Sequence, residues 1–309
     1  MTSLGWIGAG RMGQALASRL LSNGLELAVY NRTREKAMAL VEQGATLVDH
    51  PADLADRDLV FTMVAGPADV EQVVEALLSK PGVQPGLIID STTISPSSGE
   101  RIRARAQARG TAMLAAPVSG NPKVAAAGRL TIAASGPAAA WDQARPYLEL
   151  LCRKATYVGE GESARLVKVC HNLMLGVVAE CMAEISVLAE QGGVSRGDLW
   201  EFMNDSVMGS TFTRYKTPAY VNLDFEPTFT PALLLKDFHL GLDAARESRV
   251  SMPVVAAAEQ AVQLLEGIKG NEVDFAALLE LVAAGAGLTL ASEQRELDDG
   301  LSPLESIAR

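Results

Sequence analysis

The sequence contains few of the residues that build disulfide scaffolds or metal sites. Its 309 residues include only three Cys and three His, and none of the six has the spacing of a metal-ligand motif. Cys152, Cys170 and Cys181 are also too few for a disulfide framework. We therefore expect neither a disulfide-stabilised fold nor a zinc enzyme, and we predict no metal site.

Positive charge is also scarce. Lys and Arg total 27 against 37 Asp and Glu, which gives a formal net charge of -10. Because nucleic acids and anionic membranes attract basic surfaces, neither is an expected partner. An anionic substrate would have to bind at a local positive site.

Long uncharged apolar runs are missing as well. No such run approaches the ~18 residues that span a bilayer. The first eight residues lack the basic segment and the long apolar stretch of a secretion signal. We expect a soluble, cytoplasmic protein.

What the sequence does contain, up to residue 160, is an alternation of short β-rich runs with amphipathic helical patterns. Such alternation predicts an α/β domain with a mainly parallel sheet and helices on both faces. The candidate strands are Ser3–Ile7, Leu25–Tyr30, Leu59–Val64, Leu87–Asp90, Ala112–Ala115, Leu130–Ala134 and Ala155–Val158.

Beyond Gly161 the pattern becomes helical throughout. Residues 163–191 contain no Pro and one Gly, which predicts one long helix, apolar on every side and hence fully buried around residues 173–179. Four further helical patterns follow, and residues 293–309 are polar and weakly patterned. The predicted domains are therefore an α/β domain (1–160), an all-helical domain built on the long helix (161–292) and a C-terminal tail (293–309).

A glycine-rich motif, GxGxxG, follows the first predicted strand and opens a helix. The first glycine permits a tight turn, the second admits a pyrophosphate, and the third lets helix and strand pack closely. The competing interpretation is a plain glycine turn. The position favours a dinucleotide site made of Gly8, Ala9, Gly10, Arg11, Met12 and Gly13.

The end of the second strand carries no acid that would bind the ribose 2′-hydroxyl of NAD. It reads Tyr30, Asn31, Arg32, Thr33, with Lys36 one turn further on. Arg32, Thr33 and Lys36 suit a 2′-phosphate, which predicts NADP(H). The alternative is a solvated turn with ordinary surface charges.

The long helix presents Lys168 and Asn172 at positions i and i+4, on one face. A partly desolvated Lys has a lowered pKa and can act as a general acid in carbonyl reduction. By itself, however, a helical Lys is more often a surface charge whose stem lies on apolar neighbours.

Two further clusters are candidates for substrate contacts. Residues 119–123, Ser-Gly-Asn-Pro-Lys, form a backbone nest for a carboxylate or, equally, a simple turn. Lys236 reaches cofactor or substrate and Asp237 orients Lys168, unless the two are only a solvated charge pair.

In the order of these motifs the sequence resembles the β-hydroxyacid dehydrogenase family, to which 3-hydroxyisobutyrate dehydrogenase belongs. Within that family it is most similar to the glyoxylate/succinic semialdehyde reductase branch. The resemblance covers almost the whole chain. It rests on residues 8–13, Ser91-Thr92-Thr93, Pro117-Val118-Ser119-Gly120, Lys168 to Asn172, and Lys236-Asp237, with support from residues 227–231 and 250–254.

The resemblance implies a Rossmann domain followed by a helical domain that forms homodimers or homotetramers. It implies that Lys168 is the proton donor and that the substrate is a small anionic carbonyl compound held between the domains. The substrate residues would be Ser119, Gly120, Asn121, Lys123, Asn172, Phe229 and Asp237. On the nicotinamide side, Val64, Ala65 and Thr93 would line the site, with Lys236 near the cofactor.

Three positions depart from the family pattern: Ala115 replaces an acid, and Asn121 and Val124 replace glycines. The expected function is NADPH-dependent reduction of a glyoxylate or succinic semialdehyde type of substrate. The alternatives are a 3-hydroxyisobutyrate or tartronate semialdehyde type of enzyme and, more distantly, an imine reductase or a non-catalytic dinucleotide-binding protein. Imine reductases of this architecture usually lack the Lys, so Lys168 argues against that assignment.

Overall fold

The computed structural model describes residues 2–301 and contains two compact units. The first unit extends to Lys168 and the second begins at Val169. Each has its own hydrophobic core.

The first unit contains a parallel six-stranded sheet. Its strands are β1 (Leu4–Ile7), β2 (Leu27–Tyr30), β3 (Thr46–Leu47), β4 (Leu59–Thr62), β5 (Leu87–Asp90) and β6 (Ala112–Ala115). Their spatial order is β3-β2-β1-β4-β5-β6. This order places the ends of β1, β2 and β4 side by side, where dinucleotides bind to sheets of this type.

Helices and a smaller sheet complete this unit. The helices are α1 (Arg11–Ser22), α2 (Met38–Val41), α3 (Pro67–Leu77), α4 (Pro96–Ala108), α5 (Pro122–Ala126) and α6 (Ala138–Leu151). The smaller sheet pairs β7 (Val118–Ser119) antiparallel with β8 (Thr131–Ala134), and β8 parallel with β9 (Lys154–Tyr157).

The central strands are buried along their whole length because helices cover both faces of a parallel sheet. Every residue of β1, β4 and β5 is buried. The rings of Trp6 and Phe61 stack across β1 and β4 with centroids 5.4 Å apart. The predicted α/β class, with a parallel sheet followed by a helical region, is confirmed.

From Val169 to Leu301 every regular element is helical. Helix α7 (Ser163–Gln191) begins in the first unit and continues into the second. It is followed by α8 (Arg196–Asp205), α9 (Thr211–Asn222), α10 (Pro231–Glu247), α11 (Pro253–Lys269) and α12 (Leu278–Gly285).

Helix α7 is buried on one side rather than all round. Val169, Leu173 and Met182 pack into the helical core, whereas Met174 is 70% exposed and Leu188 is 73% exposed. The expectation of full burial around residues 173–179 was therefore wrong for the single chain, because only one side of the helix meets its neighbours. By length and composition α7 is able to cross a membrane, a property that it shares with core helices of soluble proteins.

Four elements had no counterpart in the sequence prediction: β3, β7, α5 and α9. Strands β3 and β7 have two residues each, too few to show a period of two. Helix α9 contains Pro218, which usually ends a helix. Its start is fixed by a capping box in which Ser210 and Thr213 exchange hydrogen bonds.

The predicted tail falls partly outside the described residues, since 302–309 are not among them. Within the described part, the Glu293 carboxylate accepts hydrogen bonds from the amides of Arg196 and Gly197. The Arg295 amide donates to Asn222 at 3.0 Å. These bonds attach residues 293–295 to the start of α8 and the end of α9.

Candidate functional site

The glycine-rich turn between β1 and α1 has a separate steric reason at each glycine. Gly8 has φ +103°, and a Cβ there would lie 2.0 Å from the Met63 carbonyl oxygen. A Cβ on Gly13 would lie 2.0 Å from the carbonyl oxygen of Gly8. A Cβ on Gly10 would meet no other side chain or backbone atom within 4 Å among the described residues, apart from its chain neighbours, so the backbone at the start of α1 is open to a phosphate.

Asn31 holds this turn in place. Its Oδ1 accepts a hydrogen bond from the Ala9 amide at 2.7 Å, and its Nδ2 donates to the Thr33 carbonyl at 2.7 Å. The Gly8 amide donates to the Tyr30 carbonyl at 3.0 Å. The side chain of Asn31 thus connects the glycine turn to the end of β2.

A cleft lies at this edge of the sheet and brings together eight of the residues that the sequence predicted for the cofactor. They are Gly8, Gly10, Asn31, Arg32, Thr33, Lys36, Val64 and Ala65. The other predicted positions of the motif are Ala9, which is buried, Arg11, which is exposed at the first position of α1, Met12, which is half-buried, and Gly13, which packs against the turn. Thr93 is half-buried in the loop after β5, and Lys236 is half-buried on α10 in the second unit.

The wall of the cleft also contains an acid that the sequence analysis missed. Asp69, in the first turn of α3, forms an ion pair with Arg32 at 3.0 Å. Because β4 is the neighbour of β1 in the sheet, its following loop had to lie near the glycine turn. The sequence signal that could have identified Asp69 is its position two residues after Gly66-Pro67, at the start of the helix that follows β4.

The loops after β4 and β5 are joined through buried Asp90. Its Oδ1 accepts hydrogen bonds from the Thr62 hydroxyl at 2.7 Å and the Thr92 amide at 3.2 Å. The Thr92 hydroxyl in turn accepts from the Val64 amide at 3.1 Å. The segments that contain the predicted nicotinamide-side residues therefore form one hydrogen-bonded unit.

The first turn of α7 is bonded to the end of β5 and to the loop that follows it, which belong to this hydrogen-bonded unit. Arg165 donates to Asp90 Oδ2 at 2.8 Å and to the Thr92 carbonyl at 3.0 Å. Its Nε donates to Glu162 at 2.6 Å. Burial alone would lower the pKa of Arg165, but the two carboxylates outweigh burial and raise that pKa, so the guanidinium stays charged.

A glycine in α4 leaves the space for this ion pair. A Cβ on Gly99 would lie 2.3 Å from both Arg165 Nε and Glu162 Oε2. Lys168 follows Arg165 by three residues, one helical turn, and is half-buried. The predicted proton donor is thus connected through the helix backbone to the loops after β4 and β5.

The predicted substrate loop begins at the small sheet. Ser119 ends β7 opposite Thr131, and Gly120 has φ +130°, which favours glycine. Asn121 accepts a hydrogen bond from the Val124 amide at 3.0 Å and caps α5. Its side chain shapes the loop, while Lys123 is exposed on α5.

In the second unit, Asn172 lies between two polar partners. Its Nδ2 donates to Asp237 Oδ2 at 2.5 Å, and its Oδ1 lies 2.8 Å from His171 Nδ1. Lys236 Nζ lies 3.5 Å from the other oxygen of Asp237. Asp237 is buried, so the interpretation of Lys236 and Asp237 as a solvated charge pair was wrong for the Asp.

Phe229 is positioned by a buried ion pair that the sequence analysis also missed. Asp274 accepts hydrogen bonds from the Phe229 amide at 3.1 Å and the Thr228 hydroxyl at 2.7 Å. Lys216 Nζ lies 2.6 Å from the same carboxylate. The Phe229 ring meets Phe275 edge-on with centroids 5.8 Å apart.

Two family models match this chain over consecutive ranges. The NAD binding domain of 6-phosphogluconate dehydrogenase matches residues 3–159. The NAD-binding domain of NADP-dependent 3-hydroxyisobutyrate dehydrogenase matches residues 162–282.

Similar proteins are aligned along most of their length. Glyoxylate/succinic semialdehyde reductase 1 of Arabidopsis thaliana is 30% identical over 90% of this chain and 98% of its own. The NAD-dependent L-serine dehydrogenase of Pseudomonas aeruginosa is 32% identical over 91% of this chain and 98% of its own. A solved structure, 3-hydroxyisobutyrate dehydrogenase of Mycobacterium tuberculosis with L-serine, superposes with a TM-score of 0.81 at 28% identity and covers 91% of this chain and 99% of that one.

The glycine turn, the parallel sheet, the helical second unit and these matches agree with one another. The chain belongs to the family of NAD(P)-dependent β-hydroxyacid dehydrogenases.

Proposed function

We propose that this protein uses NADPH to reduce a small aldehyde acid, of the glyoxylate or succinic semialdehyde type, to the hydroxy acid. One observation carries the proposal. Lys168 lies one turn after Arg165, which is anchored to Asp90 and Thr92, and Thr92 holds the Val64 amide. A lysine on a helix that is anchored in this way is a suitable proton donor.

The cleft of the first unit fits a dinucleotide. The open backbone at Gly10 and the N-terminus of α1 suit a pyrophosphate, with Gly8, Ala9, Arg11, Met12, Gly13 and Asn31 shaping the turn. Arg32, Thr33 and Lys36 line the same cleft and suit a 2′-phosphate. Val64, Ala65 and Thr93 are assigned to the nicotinamide side, and Lys236 to the cofactor or substrate. When bound, the cofactor supplies the hydride.

Lys168 is assigned to move the proton. The carbonyl oxygen gains negative charge as its carbon is reduced, and the Lys168 ammonium donates a proton to that oxygen. General acid catalysis of this kind contributes roughly 10²–10⁴-fold to the rate. A lysine returns to its charged form by taking a proton from water between turnovers.

The remaining assigned residues bind the substrate. The Ser119 hydroxyl and the Gly120 amide suit a carboxylate, because both are hydrogen-bond donors. Lys123 adds positive charge to that side. Asn172, whose Nδ2 donates to Asp237, is also assigned to the substrate. Asn121 shapes the loop, and Phe229 and Asp237 are likewise assigned to the substrate.

A second candidate is the oxidation of a β-hydroxy acid. The similarity to an L-serine dehydrogenase and to a 3-hydroxyisobutyrate dehydrogenase with L-serine favours it. In that direction the neutral amine of Lys168 accepts the hydroxyl proton. The tartronate semialdehyde type is a variant of the same chemistry.

We infer that the protein is a homodimer or homotetramer and that it works in the cytoplasm. Exposed apolar side chains on α7, among them Met174 and Leu188, support association with a second copy because their burial is favourable. Cys152, Cys170 and Cys181 are all free thiols, as expected in a reducing compartment.

Steady-state kinetics on a panel of substrates tests the function. Glyoxylate, succinic semialdehyde and tartronate semialdehyde are assayed as oxidants, and 3-hydroxyisobutyrate and L-serine as reductants, each with both cofactors. We expect the highest kcat/KM for glyoxylate or succinic semialdehyde with NADPH. A higher value for 3-hydroxyisobutyrate or L-serine would favour the second candidate, and a preference for NADH or NAD⁺ would contradict the proposed cofactor.

A further inference from the structure

The ion pair between Arg32 and Asp69 joins two walls of the cofactor cleft. Arg32 follows β2 and Asp69 belongs to α3, yet Arg32 Nη1 and Asp69 Oδ1 are 3.0 Å apart. Arg32 is 76% exposed and Asp69 is 27% exposed. The carboxylate therefore neutralises part of the positive charge that Arg32 would offer to a ligand in this cleft.

The charged residues that line the cleft are Arg32, Lys36 and Asp69. Asp69 is the single acid among these lining residues. A 2′-phosphate carries a charge of about -1.5 to -2 near neutral pH. Asp69 repels such a group directly and also competes with it for the Arg32 guanidinium.

An uncharged ribose behaves differently. The 2′-hydroxyl of NADH carries no charge, so Asp69 does not repel it, and a carboxylate accepts hydrogen bonds from hydroxyl groups. One acid therefore has opposite effects on the two cofactors.

We propose that Asp69 sets the cofactor selectivity of this protein by limiting its preference for NADPH over NADH. Arg32 and Lys36 favour the 2′-phosphate, and Asp69 reduces that advantage while leaving NADH able to bind. This inference rests on the proposed use of the cleft for a nicotinamide dinucleotide, but not on the identity of the substrate.

The test is the variant D69N, measured by equilibrium binding rather than by turnover. Dissociation constants for NADPH and NADH come from isothermal titration at low and at physiological salt. We expect the ratio Kd(NADH)/Kd(NADPH) to rise about two- to fivefold, the range for a partly exposed charge pair. The rise should be larger at low salt, because salt screens the interaction.

A matched control comes from the same helix. Glu75 also belongs to α3 and pairs with Arg105 at 2.9 Å, but it does not line the cleft. The variant E75Q makes the same carboxyl-to-amide change and should leave the ratio unchanged. A ratio in D69N that stays at the wild-type value or falls would overturn the proposal.

The role of Arg32 is tested by repeating D69N in an R32Q background. Because part of the effect of Asp69 acts through Arg32, the rise in the ratio should be smaller there than in the wild type. An undiminished rise would overturn the role of the ion pair. The proposed cofactor and the role of Asp69 are tested by different measurements. If the wild type binds NADH more tightly than NADPH, the proposed cofactor is wrong. The change in the ratio from wild type to D69N tests the role of Asp69, whichever cofactor the wild type prefers.

Discussion

The guanidinium of Arg165 lies 2.8 Å from the carboxylate of Asp90, and both side chains are buried almost completely. They are 75 residues apart in the chain. This pair attaches the first turn of α7, one turn before Lys168, to the end of β5. The position of the proposed proton donor thus depends on a contact between the helix and the sheet.

Arg165→Met should destabilise the protein strongly. The substitution leaves Asp90 buried without a countercharge, which costs about 3–5 kcal/mol of unfolding free energy. Denaturant titration followed by circular dichroism measures the loss. Arg145 forms an exposed pair with Glu149 at 2.8 Å, so Arg145→Met should change the free energy of unfolding only slightly. Equal losses in the two variants would argue against a special role for the buried pair.

Lys168→Ala should lower kcat by roughly 10²–10⁴-fold, because it removes the proposed general acid. The dissociation constant for NADPH should change little, since the assigned cofactor contacts lie elsewhere. Stopped-flow and equilibrium titration separate the two effects. Lys154→Ala is the control, because Lys154 is exposed on β9 in the same unit. Turnover near the wild-type rate in Lys168→Ala would refute the assignment of the proton donor.

Lys216→Met should destabilise the second unit and disturb Phe229. Lys216 and Asp274 are both buried, and removing one partner of such a pair costs about 3–5 kcal/mol. Lys269→Met is the matched control, since Lys269 pairs with Glu280 near the surface at 3.1 Å. Thermal unfolding compares the variants, and similar midpoints for both would contradict the prediction.

Glu180 should make stability depend on pH. Burial and, to a smaller extent, the charge of Glu184 raise the pKa of Glu180 from 4.5 to about 7. Between these two pH values the folded state keeps a proton on Glu180 that the unfolded state has released. The contribution of Glu180 to the free energy of unfolding therefore falls as pH rises from about 4.5 to 7.

Glu180→Gln removes this titration. The midpoint temperature of unfolding of the variant, relative to that of the wild type, should increase between pH 5 and pH 8. Calorimetry at four pH values measures it. Glu42→Gln, at an exposed position in the first unit, should show no such trend. A difference that stays constant with pH would disprove the role of Glu180.

The sequence by itself determined the local parts of this protein. The apolar runs of β1, β4 and β5 are buried along their length, as a covered parallel sheet requires. The glycine turn forms where the motif predicted it, because its steric demands involve close neighbours such as Gly8 and Gly13. The α/β class, the helical second half and the family all followed from patterns of this kind.

Only the tertiary structure decided which distant charges meet. Asp69 meets Arg32 across 37 residues, and Lys216 meets Asp274 across 58. The residues next to Asp69 indicate only that it lies near the glycine turn, and those next to Asp274 resemble the surroundings of an ordinary surface acid; neither indicates which base is the partner. Such pairs form because the order of the strands and the packing of the helices bring residues together that are far apart in the chain. A local sequence pattern contains no information about which elements become neighbours.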